Sequence, residues 1–248
     1  MHILRTRFKK DIVAEFLPPK KKSSKVIIIC DGMPTVPSKK PLLEFFAKKG
    51  YWVFHPRYRG SWESGGRFLE VSPEKDILDI ISEIPRGFKD LWTGKRYKIK
   101  PSAIYLIASS FGGPAGILAS RDPRVTKVIA VSPVVDWLAP SKAEPLPFLF
   151  KYIKEAFGES YRLSKRNWQK LERGAFYNPV SQISRIDGAT LFILHAKADS
   201  TVLWRPVRKF AREVGAEMLT LKKGGHRILF SIIQPKIYRR IKRFITRK

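Results

Sequence analysis

Residues 103–116 read Ala-Ile-Tyr-Leu-Ile-Ala-Ser-Ser-Phe-Gly-Gly-Pro-Ala-Gly, and no other stretch restricts the fold of this chain more. The opening apolar run is rich in β-branched and aromatic residues, the pattern of a buried strand. The closing small residues suit a helix start. Between them, Ala108-Ser109-Ser110-Phe111-Gly112 is a near match to G-x-S-x-G, a sharp strand-to-helix turn that lifts a serine hydroxyl above a sheet. Backbone approaches closely on both sides of such a serine, so the positions two before and two after it must be small. Gly112 meets that demand, and Ala108 exceeds it by one methyl. A helix start behind Ser110 also aims N–H groups and a positive dipole end at a developing anion.

The rest of the chain repeats the alternation. Segments 26–30, 51–55, 126–132, 189–195 and 216–221 are short apolar strands, separated by helical patterns at 39–49, 73–84 and 203–214. Within these helices Leu42, Leu43, Phe45 and Phe46 are expected inward, and Ser72 precedes Pro73 as an N-cap. Segments 3–8 and 11–17 form a hairpin ahead of the main sheet. Such alternation predicts an α/β fold, a mostly parallel sheet with helices on both faces. Residues 136–187 break the rhythm with two helices near 146–157 and 164–174, predicting a helical cap over the site. The 248 residues are expected to form a single α/β domain carrying that insertion.

A serine hydroxyl needs a base to take its proton and an anion to orient that base. The sequence holds four histidines. His2 is terminal, His55 and His195 end strands, and His226 follows Gly224-Gly225 after the last strand. Ser110, Asp199 and His226 occur in the order serine, acid, histidine, each just past a predicted strand end. Ligands of open α/β sheets gather at those edges. Asp136, after the strand ending at Ser132, is the rival acid; its other reading is a cap contact.

Three segments together carry a family resemblance: Ala108–Gly113, His195-Ala196-Lys197-Ala198-Asp199-Ser200-Thr201-Val202 and Gly224-Gly225-His226. The chain resembles the α/β-hydrolase superfamily. More narrowly, it is similar to the catalytic domain of the prolyl oligopeptidase and acylaminoacyl-peptidase group and its stand-alone esterase relatives. Arg57-Tyr58-Arg59-Gly60-Ser61 with Gly65-Gly66, and Phe176-Tyr177-Asn178-Pro179-Val180, resemble further segments of that group. The likeness spans about residues 25–246, with Ala108 in place of the first elbow glycine and Asp31-Gly32 in place of the commoner His-Gly. It implies an oxyanion hole made by the backbone N–H groups of Met33 and Phe111, with Gly32 permitting a close turn. Nothing before Val26 could form the β-propeller of the peptidases, which favours an esterase.

The expected reaction is therefore carboxylester hydrolysis through an acyl-enzyme, on a small ester or short peptide substrate. A small acylaminoacyl- or oligopeptidase on the same residues is the alternative. Trp137, Phe148 and Trp168, with Leu146 and Phe150, are candidate pocket residues or plain cap core. Tyr58 is a candidate substrate contact and auxiliary donor, or core. Absence of G-x-G-x-x-G, P-loop or metal-ligand spacing implies no cofactor and no metal. The charge is unusual: 49 Lys and Arg against 21 Asp and Glu, a net +28. Such a surface attracts polyanions weakly, but no nucleic-acid motif is present, so no specific nucleic-acid partner is expected. A catalytically idle basic module binding nucleic acid or anionic membrane is the reading from a different class, with the 236–244 stretch as its contact. A lone Cys30, no apolar run of membrane length and no leader pattern at residues 1–8 favour the cytoplasm. The sequence leaves the oligomeric state open.

Overall fold

The computed structural model describes residues 2–139, 141 and 143–247. In chain order the strands are β1 (Leu4–Phe8), β2 (Ile12–Leu17), β3 (Lys25–Cys30), β4 (Trp52–Pro56), β5 (Phe88–Lys89), β6 (Arg96–Tyr97), β7 (Ala103–Ser109), β8 (Lys127–Val131), β9 (Leu191–Ala196) and β10 (Glu217–Leu221). The helices are α1 (Lys40–Lys48), α2 (Glu74–Glu83), α3 (Gly112–Ala119), α4 (Leu146–Phe157), α5 (Lys165–Glu172), α6 (Trp204–Val214) and α7 (Pro235–Thr246). Eight strands form one sheet in the order β1-β2-β4-β3-β7-β8-β9-β10. The β1–β2 and β2–β4 pairs are antiparallel, and every pairing from β4 through β10 is parallel.

Alternation along the strands explains why the sheet is covered twice. Val26, Ile28 and Cys30 of β3 enter one apolar layer, with Ile77, Ile80 and Ile117 of α2 and α3. Ile27 and Ile29 enter the other, with Leu42 and Phe46 of α1 and Ile241 and Phe244 of α7. Such continuous apolar strands suit a parallel sheet buried on both faces. The apolar side of α7 is thus spent on the sheet. No helix among the described residues is long and apolar enough to cross a membrane.

Two local expectations need correction. Ser72 does not cap α2 with its side chain; its hydroxyl bonds the Glu74 carboxylate, and only its carbonyl meets the helix, through Lys75 N–H. Phe45 is only partly buried; it packs at the margin of the core, edge-on against Tyr238 of α7 at 4.9 Å.

The long connection between β8 and β9 carries α4 and α5. Residues 140 and 142 of the expected 136–187 insertion lie outside the described residues. Ser164 caps α5 by accepting from Asn167 N–H at 3.1 Å, and Trp168 and Leu171 turn inward. The segment between the helices is stitched to the loop after β4: Trp62 N–H donates to Ser160 C=O (2.8 Å), Arg162 N–H to Gly60 C=O (2.8 Å) and Phe68 N–H to Arg162 C=O (3.0 Å). Tyr161 of the same segment accepts from Thr35 N–H at 3.2 Å, so the insertion also grips the loop after β3.

Candidate active site

β7 ends in a turn whose backbone is held from three sides. Ser110 N–H donates to Val131 C=O at 3.1 Å, and Ser110 C=O accepts from Gly113 N–H (2.9 Å) and Val134 N–H (3.0 Å). Ser110 sits at φ +52°, in the left-handed region. That conformation costs a non-glycine residue about 1–3 kcal/mol, and the surrounding bonds sustain it. Gly112 must lack a side chain, since a Cβ there would lie 2.2 Å from Cys30 C=O.

The extra methyl of Ala108 has a structural answer that sequence alone did not give. A Cβ on Gly116, one turn into α3, would meet the Ala108 Cβ at 2.5 Å. The methyl at 108 therefore occupies the space a side chain at 116 would need. Gly116→Ala should cost about 1–2 kcal/mol, overpacking outweighing the gain in helix propensity. In the Ala108→Gly background most of that cost should disappear, the close contact that remains being Val128 Cγ1 at 3.2 Å. Urea unfolding of the four proteins of this cycle measures the coupling.

His226 lies in the loop after β10. Its Nε2 is 2.7 Å from Ser110 Oγ and its Nδ1 is 2.9 Å from Asp199 Oδ2. Asp199 is almost fully buried, and its Oδ1 accepts from Thr201 N–H (3.0 Å) and Val202 N–H (2.9 Å). Burial pushes the Asp199 carboxyl up, but the His226 hydrogen bond and charge outweigh it and hold it below the usual aspartate value. His195 does not share this line. Its Nε2–H donates to Val202 C=O at 2.9 Å, and burial, opposed by the nearby Asp199 charge, keeps it below the usual histidine range. Asp136 makes no bond to His226: its Oδ1 accepts from Leu138 N–H (3.0 Å) and Asn178 Nδ2–H (3.2 Å).

Two cavities meet at Ser110. One, of about 440 Å³, has Met33, Phe111, Trp137, Leu146 and Val202 in its walls. The other, of about 600 Å³, is bounded by Met33, Lys39, Phe148, His226 and Arg227. Of the residues proposed from sequence, Met33, Phe111 and Trp137 thus share a cavity with Ser110, and Phe148 lines the second. Tyr58 and Trp168 line neither. The Tyr58 hydroxyl is buried and donates to Asp31 C=O at 3.2 Å. Trp168 is cap core, its Nε1–H bound to Leu146 C=O at 3.1 Å, and Phe150 packs on it. Tyr177, which the sequence did not single out for a role, donates to Phe111 C=O at 2.6 Å and helps fix that peptide beside Ser110. Its signal was only a place within a family-like segment.

A buried charge cluster underlies the loop after β3. Asp31 Oδ1 accepts from Gly32 N–H at 2.8 Å, while Oδ2 meets Lys39 Nζ at 2.7 Å and His55 Nε2 at 3.2 Å. His55 Nδ1 lies 3.3 Å from Glu15, which Arg57 also pairs at 3.1 Å. Asp31→Asn strands the buried Lys39 charge, and should lower stability by about 3 kcal/mol in urea unfolding. Burial raises the Glu15 carboxyl, but the His55 bond and the Arg57 charge bring it down from 4.5 to about 2; Asp31 is lowered too, by His55 and Lys39 against its own burial. Both groups titrate lower folded than unfolded. The stabilisation from both is complete above the ordinary carboxylate range and is lost as pH falls below it, for Glu15 toward about 2.

Sheet order, elbow and loop placement define the α/β-hydrolase fold. Among the described residues no cluster of three or more His, Cys, Asp or Glu could hold a metal ion. The sequence matches the prolyl oligopeptidase family over residues 38–248, and the chain belongs to that family of serine hydrolases. No curated protein matches it. Among solved structures it is similar to a Pyrococcus furiosus esterase (18% identity, TM-score 0.70, covering 98% of this chain and 90% of that one). It is also similar to Est1E from Butyrivibrio proteoclasticus (13% identity, TM-score 0.67, 100% of both chains). The acylaminoacyl peptidase of Pyrococcus horikoshii is a third (20% identity, TM-score 0.62, 98% of this chain); the present chain spans 39% of its length. At these identities the likenesses concern the fold.

Proposed function

We propose that the protein is a serine carboxylesterase acting on small acyl esters through an acyl-enzyme. The observation that carries this reading is the unbroken hydrogen-bonded line Ser110–His226–Asp199 opening onto a mainly apolar cavity. In the proposed reaction Ser110 Oγ attacks the ester carbonyl as His226 Nε2 takes its proton. Asp199 holds the Nδ1–H of the ring and stabilises the imidazolium. The N–H groups of Phe111 and Met33 receive the oxyanion; among the described residues neither donates to a turn, loop or side-chain acceptor. Each such donor is worth roughly 2.7–4 kcal/mol of barrier lowering. The intermediate collapses as His226 returns the proton to the leaving oxygen. Water then repeats the sequence and frees the acid.

Cleavage of short peptides or acylated amino acids on the same residues is the second reading, favoured by membership of the prolyl oligopeptidase family and by the likeness to an acylaminoacyl peptidase. The test pairs short-acyl p-nitrophenyl esters with acyl-peptide p-nitroanilides, and adds a phosphonate probe followed by mass spectrometry. Ester turnover above amide turnover, with the adduct on Ser110, is the expected result. Turnover of neither, with no adduct, overturns the enzyme reading.

A further inference from the structure

Of the two cavities beside Ser110, the His226 side holds charge that the reaction just proposed does not use. The first cavity has Asp136, Glu144 and Glu172 in its walls and no lysine or arginine among the described residues, in a chain of net charge +28. The second has both Lys39 and Arg227. Lys39 is neutralised by Asp31 at 2.7 Å. Arg227 is exposed, and its guanidinium takes part in no ion pair or hydrogen bond among the described residues. Glu144 sits at the seam common to both cavities and forms no ion pair with it. The same cleft gathers Phe148, Tyr152 and Phe230, three of the nine exposed large apolar side chains among the described residues. Phe148 and Tyr152 lie nearly parallel, at 7° and 6.2 Å between ring centres. Apolar exposure concentrated around one cleft marks a binding surface.

The direction of proton transfer sorts the substrate between the cavities. The leaving oxygen must receive its proton from His226 Nε2, so the leaving group has to lie on the side His226 lines. That is the second cavity, and the acyl group takes the first. An anionic acyl group would meet Asp136 and Glu172 with no cation beside it, Glu144 being common to both sides; an anionic leaving group would meet a free guanidinium, whose planar fork matches a carboxylate. We infer that Arg227 is a specificity-determining residue selecting esters whose leaving group is aromatic and carries a carboxylate. The inference rests on the esterase reading above and deepens it.

The test compares 4-acetoxybenzoate with its neutral counterpart 4-acetoxybenzamide. In each, Ser110 Oγ displaces the phenol oxygen, which departs with the proton from His226, and water then releases acetate. The readout is the ratio of kcat/KM for the two esters, in which any general disturbance of His226 by its neighbour cancels. The ratio should exceed one in the wild type, fall about tenfold in Arg227→Gln and be partly kept in Arg227→Lys, the scale of one charge-assisted contact. The remaining positive surface persists in Arg227→Gln, so a ratio within twofold of wild type would assign the preference to the overall field and overturn the inference. A second readout needs no turnover: binding of 4-hydroxybenzoate to wild type and Arg227→Gln by calorimetry. If neither ester is cleaved but binding weakens tenfold in the variant, the anion site stands and the esterase reading falls. Equal binding in both proteins removes the anion site whatever the turnover.

Discussion

Ser110→Ala is expected to lower kcat on a short-acyl p-nitrophenyl ester by about 10⁶, the scale on which a serine nucleophile acts with its base as a unit. Removing Oγ takes away the atom that forms the acyl-enzyme, and His226 has nothing left at 2.7 Å to deprotonate. Little else should change. Alanine tolerates φ +52° no worse than serine, and the backbone bonds of residue 110 to Val131, Gly113 and Val134 involve no side chain. The melting temperature should therefore stay within a few degrees of wild type, and the phosphonate adduct should vanish. Residual turnover should come from the oxyanion donors and binding alone. A variant retaining more than about a hundredth of wild-type kcat would place the chemistry on another group.

The elements that position the proposed nucleophile and base were legible in the sequence because their signals are local. An apolar β-branched run followed by small residues marks β7 and the start of α3, and Gly-Gly-His after a strand marks a loop free to carry an imidazole over the sheet edge. That Asp199 would come close to His226 was legible by order and strand position. What could not be read depends on packing across the fold. Glu15 stands opposite His55 in the β2–β4 pairing, yet no spacing announces that Lys39 and Asp31 complete a buried cluster with them. Gly116 looks like an ordinary small helical residue until β7 is laid against α3, where it makes room for Ala108. Aromatics in the insertion were ambiguous for a related reason. Trp137 and Trp168 have the same composition signal, but one borders the cavity and the other is sealed beneath α4.

Asp199→Asn should lower kcat by about 10⁴ while leaving the fold intact, and the hydrogen bonds explain why so small a change acts so strongly. Asp199 Oδ1 accepts two backbone N–H groups, from Thr201 and Val202, and Oδ2 accepts from His226 Nδ1. An asparagine in the same place must keep its carbonyl oxygen on the two N–H donors, since its amide cannot accept from them. Its NH₂ then points at His226 Nδ1. That nitrogen becomes an acceptor, so the ring proton moves to Nε2, the atom facing Ser110 Oγ at 2.7 Å. With its proton there the ring presents an N–H and no lone pair to the serine, so it cannot act as the base, and any imidazolium that does form has no carboxylate beside it. Asp136→Asn provides the contrast. Its carboxylate serves Leu138 N–H and Asn178, both served as well by an amide oxygen, and it does not touch His226. Its kcat should remain of the wild-type order. Steady-state kinetics of the two variants on one ester decide the matter: full turnover in Asp199→Asn with loss in Asp136→Asn would transfer the acid's role to Asp136, in the loop after β8.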